Sequence, residues 1–113
     1  HPWFAKPDRL EFDPVAMYER DGAGLPTGRL LLPPPGPWDD CFVNHRPIRL
    51  HYDRQVAPTI TVSSPADHWV VYDGPDHATC IEPQTGPPDA PTIRPTIVAP
   101  GVPLRLTMRI GWD

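Results

Sequence analysis

The stretch Ala78-Thr79-Cys80-Ile81-Glu82-Pro83-Gln84-Thr85-Gly86-Pro87-Pro88-Asp89-Ala90 sets a short β-type run against a stiff loop. Residues 78–82 read as a strand that ends on a single carboxylate, Glu82. Pro83, Gly86, Pro87 and Pro88 follow. Proline fixes φ near about −65° and glycine permits φ > 0, so such a loop has few conformations. A stiff loop after a strand suits a group that must be held still, such as a general base. An ordinary Pro-rich turn with an exposed Glu has the same local pattern.

Outward from this stretch the chain keeps the strand period. Residues 59–63 alternate Thr, Ile, Thr, Val, Ser, and residues 48–52 and 104–110 also alternate apolar with polar. Residues 69–72 are aromatic and β-branched, and 29–32 form a short apolar run. Period-2 alternation gives each strand one apolar face. The one helix candidate is 14–20, where Pro14 could open a turn; seven residues cannot support an isolated helix. Gly, Pro and Asp separate the runs at short intervals, so the expected class is all-β, an antiparallel β-sandwich.

Composition narrows the function. The 113 residues suffice for one small domain. Its 19 prolines and 8 glycines punctuate apolar runs and read as loop residues. Pro33-Pro34-Pro35-Gly36-Pro37 is the one low-complexity patch, either a polyproline-type spacer leading to Asp39 or a solvated loop. A net charge of −4 with dispersed basic residues argues against a nucleic-acid partner. No apolar stretch approaches the length of about 18 residues that a membrane span needs. Cys41 and Cys80 are too far apart in sequence for a paired metal motif and read as buried reduced thiols. A disulfide between them needs neighbouring strands. Reduced thiols fit a cytoplasmic location.

Several segments resemble one family in the same order along the chain. The sequence Cys80 to Ala90, CIEPQTGPPDA, is similar to the glutamate segment of the aldose 1-epimerase (galactose mutarotase) family. His1-Pro2-Trp3-Phe4 resembles its HPYF-type histidine motif, and Leu25-Pro26-Thr27-Gly28 a following LPTG segment. Trp38-Asp39-Asp40-Cys41-Phe42 resembles its sugar-contacting segment. Ala99-Pro100-Gly101 through Met108-Arg109-Ile110 resembles its closing strand. The resemblance implies a supersandwich-type β-sandwich of which residues 1–113 form the later part, a single partial domain completed by an upstream segment of the same fold.

The resemblance also implies a reaction. Interconverting two anomers of an aldose needs a base at the C1 hydroxyl and an acid at the ring oxygen; no cofactor and no metal take part. A carboxylate and an imidazole suit the task, with reference pKa values of about 4.3 and 6.5. By resemblance Glu82 is the base and His1 the acid, and Asp39 accepts hydrogen bonds from sugar hydroxyls. The family's second histidine and its arginine lie upstream of the His1 motif. Trp38 either stacks on a sugar face or packs in the core. Gln84 shares a face with Glu82 if the strand continues past Pro83.

The remaining candidates have plainer readings. Phe4 reads as core, Asp40 as supporting or solvated, and Asp89 as a turn or cap residue. His45, His51 and His68 read as structural or surface groups, while His77, five residues before Glu82, could approach the site. The partner expected is a small-molecule aldose. A phosphorylated sugar would call for clustered cations such as Arg46, Arg49, Arg54 or Arg94; the acidic net charge leans toward a neutral one. The alternative function is a non-catalytic carbohydrate-binding β-module. A third, a copper site on His1 with His51 or His68, lacks paired spacing.

Overall fold

In the computed structural model, residues 1–53 and 59–113 are described. Among them the chain forms strands β1 (Trp3–Ala5), β2 (Arg9–Glu11), β3 (Ala16–Arg20), β4 (Pro26–Leu31), β5 (Asp39–Val43), β6 (Ile48–His51), β7 (Thr59–Ser63), β8 (His68–Tyr72), β9 (Ala78–Gln84) and β10 (Arg109–Trp112). One helical turn, α1 (Ala90–Ile93), lies between β9 and β10. The strands make a six-stranded sheet in the order β1-β9-β8-β5-β3-β4 and a four-stranded sheet in the order β10-β7-β6-β2. Every pairing is antiparallel.

Alternation along these strands builds one core between the two sheets. Phe42, Trp69, Val71 and Ile81 point from the larger sheet, and Ile48, Leu50 and Val62 from the smaller. Phe4, Leu10, Phe12, Met17, Trp38 and Ile60 pack against them at the margins. Phe12 meets Phe42 edge-on at 5.0 Å and Trp38 at 5.6 Å between ring centroids, a geometry that aromatic quadrupoles favour. On the smaller sheet the outward residues include Arg49 and His51, both of which contact Glu11 across β2 and β6. One sheet face is thus apolar and the other solvated, the usual antiparallel arrangement.

The larger sheet is buried on both faces along β9, whose residues from Thr79 to Pro83 are all buried. Its face away from the core carries Cys80, Glu82, Val70, Cys41 and Tyr18, as the register shows. Residues 85–108 cross this second face. Pro88 lines a cavity with Tyr18, Cys41 and Val70, Ile93 reaches Gly28, and Leu106 and Met108 line a cavity with Glu82. The crossing segment begins at Asp89, whose φ of 55° is left-handed, a conformation Asp tolerates better than most residues. The Asp89 carbonyl accepts from the amides of Thr92 and Ile93, and its carboxylate accepts from the Thr92 hydroxyl at 3.0 Å. The turn role expected for Asp89 is the one it fills.

Two sequence expectations are corrected. Residues 14–20 hold strand β3, not a helical turn, because β4 and β5 pair with it on either side and satisfy its backbone. Residues 104–110 do not form a continuous strand. Only Arg109–Trp112 pairs, with β7, and Leu104 and Leu106 remain about half exposed. Alternation assigns faces, but a strand also needs a neighbour to bond. Among the described residues no helix is long and apolar enough to cross a membrane.

Thr79 is fully buried on the core face, and its hydroxyl has no partner among the described residues. An unpaired buried hydroxyl costs roughly 1–3 kcal/mol, whereas an apolar group of the same shape does not. Thr79→Val is therefore expected to raise the urea midpoint. An equal fall would show that the hydroxyl is bonded.

Candidate functional site

The register of β1 on β9 builds the site. Trp3 lies opposite Cys80 and Phe4 opposite Thr79. Two residues back along the first chain and two forward along the second, His1 comes opposite Glu82. The ladder extends past β1, since the Ile81 amide donates to the Pro2 carbonyl at 3.3 Å. Directly opposed residues bring their Cβ atoms to within about 4.5–5.5 Å. Accordingly His1 Nδ1 lies 2.8 Å from Glu82 Oε1. The His1 side chain is 84% exposed and that of Glu82 only 11%. A buried carboxylate thus meets an exposed imidazole.

Two further donors face Glu82. The Cys80 thiol donates to Oε1 at 2.9 Å, and the Gln84 side-chain amide approaches Oε2 at 3.4 Å. Cys80, Glu82 and Gln84 share one face because β9 runs through Pro83 to Gln84 without a break. Proline is tolerated there because its nitrogen, two residues beyond the Ile81 amide that bonds Pro2, faces the β1 side, so no bond of the β8–β9 ladder is lost. Burial, and then the Glu82 carboxylate, push the Cys80 thiol up to about 12. It is therefore a protonated donor at neutral pH.

His1, Glu82 and Gln84 line a cavity of about 580 Å³, closed on the far side by Thr85 to Pro87, Pro91, Leu106 and Met108. Gly86 lets the loop pack tightly here, since a Cβ would come within 3.0 Å of the Ala90 methyl. The wall combines an imidazole–carboxylate pair with apolar and proline surface, and the His1 side chain is exposed to solvent.

The other candidates are placed as follows. Asp39 is exposed on the same face as Glu82 and opposes Tyr72, which opposes Cys80. By strand spacing and rise its Cα is roughly 12 Å from that of Glu82. Asp39 lines a second cavity, about 160 Å³, with Tyr18, Cys41 and Pro88. Neighbouring Asp40 is held by Arg20 at 2.9 Å. Trp38 lies apart from the Glu82 cavity. Its ring packs on Phe12 and Phe42, and its indole donates to the Pro34 carbonyl at 2.8 Å. The proline run thus folds back on Trp38, and a Cβ on Gly36 would sit 3.2 Å from the ring.

The histidines separate. His45 contacts Asp67 at 3.2 Å and His51 contacts Glu11 at 3.0 Å. His77 is exposed, with its carbonyl accepting from the Lys6 amide. His68 is buried, 3.1 Å from the Tyr18 hydroxyl. Arg46 and Arg49 are taken by Asp13 and Glu11, Arg94 lines a cavity beside His68, and Arg54 lies outside the described residues. Cys41 and Cys80 are both free and buried. β8 runs between their strands and their levels along it differ by two residues, which sets their Cα atoms roughly 12 Å apart, beyond the ~7 Å reach of a disulfide.

The sequence reading did not find Cys80 as a partner of Glu82, although the i, i+2 spacing on one strand carried that signal. It also did not find the buried Tyr18–His68 pair, which only strand order brings together. Searches against protein-family models, curated proteins and solved structures give no match to this chain.

Burial first, and then Arg94, hold the His68 imidazole below its ordinary range, with Asp67 opposing. The unfolded chain therefore binds a proton before the folded one does. This contribution to stability is complete above about pH 6.5 and fades as pH falls toward the lowered folded value. Denaturant titrations across pH 7 to 5 are expected to show a falling midpoint, with a shallower fall in His68→Gln.

Proposed function

We propose that the chain carries the acid–base pair of an aldose 1-epimerase-like reaction. The observation that supports it most directly is the 2.8 Å approach of His1 Nδ1 to Glu82 Oε1 at the wall of a 580 Å³ cavity. Anomer interconversion acts on two oxygens bonded to one carbon, the C1 hydroxyl and the ring oxygen. A base and an acid must therefore stand almost in contact. Glu82 takes the hydroxyl proton as His1 delivers one to the ring oxygen, and the ring opens. Rotation about the C1–C2 bond and closure on the other face return both protons. His1, being exposed, swings aside to admit the sugar. Gln84 and Cys80 hold the Glu82 carboxylate in position.

Asp39 is proposed to meet sugar hydroxyls from across the same sheet face. Trp38 is occupied by the core margin and has no part in this reading. Arg46 and Arg49 are already paired, which favours a neutral hexose over a phosphorylated one. The expected cytoplasmic location goes with the two free thiols.

On the same reading the two sheets form the later part of a supersandwich. Its support is apolar surface that the present strands leave uncovered, including Ile97, Val102, Leu104 and Trp112, each at least half exposed. Further strands of such a fold would cover it and bring the additional histidine and arginine.

Polarimetry of freshly dissolved α-D-glucose and α-D-galactose tests the proposal. The chain, alone or within a longer parent, is expected to accelerate mutarotation, and Glu82→Gln to lower that rate by about 10²–10⁴-fold. No acceleration together with retained sugar binding would instead support the non-catalytic carbohydrate-binding module.

A further inference from the structure

His1, Cys80 and Glu82 place an imidazole nitrogen, a thiol sulfur and a carboxylate oxygen all within 4.8 Å of one another. We propose that these three side chains form a binding site for a thiophilic divalent cation of the zinc class, with the fourth position open to the Glu82 cavity. The acid–base reading uses two of these residues in proton transfer and the thiol only as a hydrogen-bond donor to Glu82.

Three observations carry the assignment. First, the donor set is mixed nitrogen, sulfur and oxygen. A thiol and an imidazole select zinc-like ions, while magnesium and calcium prefer oxygen alone. Second, the size fits. Bonds of about 2.0–2.3 Å in a tetrahedral zinc site put donor atoms roughly 3.5 Å apart. Here His1 Nδ1 and Cys80 Sγ each already lie 2.8 Å and 2.9 Å from the same oxygen of Glu82. An ion entering between them needs a small expansion at both contacts, supplied by the exposed His1 ring on one side and by side-chain rotation of Glu82 on the other. Third, Cys80 and Glu82 are fixed on one face of a fully paired strand, so two of three ligands are preorganised.

Binding balances in charge and protons. The Cys80 S–H bond breaks, its proton leaves to solvent, and a sulfur–metal bond forms. Glu82 contributes its existing negative charge and His1 a neutral nitrogen lone pair. A divalent ion with one thiolate and one carboxylate is neutral overall, which suits a site this buried. One open position facing a cavity is the arrangement of reactive or inhibitable zinc sites, whereas purely structural sites are closed.

A consequence rests on the epimerase reading of the same residues. An ion on Glu82 and His1 removes both the base and the acid, so zinc occupancy would switch the reaction off.

The test uses cobalt(II) as a spectroscopic probe on the chain reduced with a phosphine. One equivalent is expected to give a thiolate-to-cobalt charge-transfer band and the strong visible bands of four-coordinate cobalt, both reversed by zinc. Cys80→Ser should abolish the charge-transfer band and Cys41→Ser should keep it. His1→Ala and Glu82→Gln should weaken binding by at least about tenfold, a loss typical of damaged metal sites. Glu82→Gln keeps the thiol and the side-chain shape, so it carries the test if Cys80→Ser fails to fold. Absence of the band, or a band that survives Cys80→Ser, overturns the site. Cobalt binding together with no metal-free mutarotase activity, in the chain or in a longer parent that contains it, upholds the site and removes the epimerase reading. Mutarotase activity without the band does the reverse. Activity that persists with zinc bound overturns the switch.

Discussion

The register of β1 against β9 is the constraint on which the rest of the site depends. Trp3 opposite Cys80 carries His1 to the level of Glu82, 81 positions away in the sequence. A slip of one residue would turn every side chain of the short β1 to the other face. His1 would then point toward the core, and Phe4, now packed at the core margin, would point outward. Register is strongly specified here because Phe4 is packed against the core cluster while Trp3, on the opposite face, stacks edge-on against Tyr72 at 5.7 Å. A packing constraint on one face thus sets the chemistry on the other.

The second face of the larger sheet is unusual in being buried without being apolar. Tyr18, Cys41, His68, Cys80 and Glu82 all lie on it with little exposure. Burial alone disfavours ionised groups there, as the raised thiols and the lowered His68 show. Four of them pair with one another, Tyr18 with His68 and Cys80 with Glu82, and Cys41 is buried as a protonated thiol. What covers them is the crossing segment 85–108, anchored by one helical turn and prolines rather than by strands. A face that is polar, buried and roofed by a loop is where a small polar ligand can enter. The core side of the same sheet offers no such opening.

Several features were legible in the sequence for physical reasons. The alternation of 59–63 and 48–52 predicted β7 and β6, because strict period two with β-branched residues has one efficient solution. Asp89 was legible from its turn chemistry, whereas the strand expected to end on Glu82 runs through Pro83 to Gln84. The cysteines were left open between buried thiols and a disulfide, and the strand β8 that runs between them decides for two free thiols. In contrast, 14–20 was misread because its helical appearance rested on Pro14 alone, while pairing by β4 and β5 is invisible locally. Residues 104–108 were misread for the opposite reason: their alternation is real but their neighbour is missing. Trp38 was left open between two roles, and its contacts with Phe12 and Phe42 place it at the core margin.

The sequence by itself determined the all-β class, the strands with clear alternation such as β6 and β7, and the chemical identity of the candidate groups, since period and side-chain type are local properties. Tertiary structure alone decided which groups meet. Glu82 gains His1 through a cross-strand register and Cys80 through strand alternation, whereas Asp39 and Trp38 are carried elsewhere by the order of strands. Pairing is a non-local choice, made by burying apolar faces that may lie a whole chain apart.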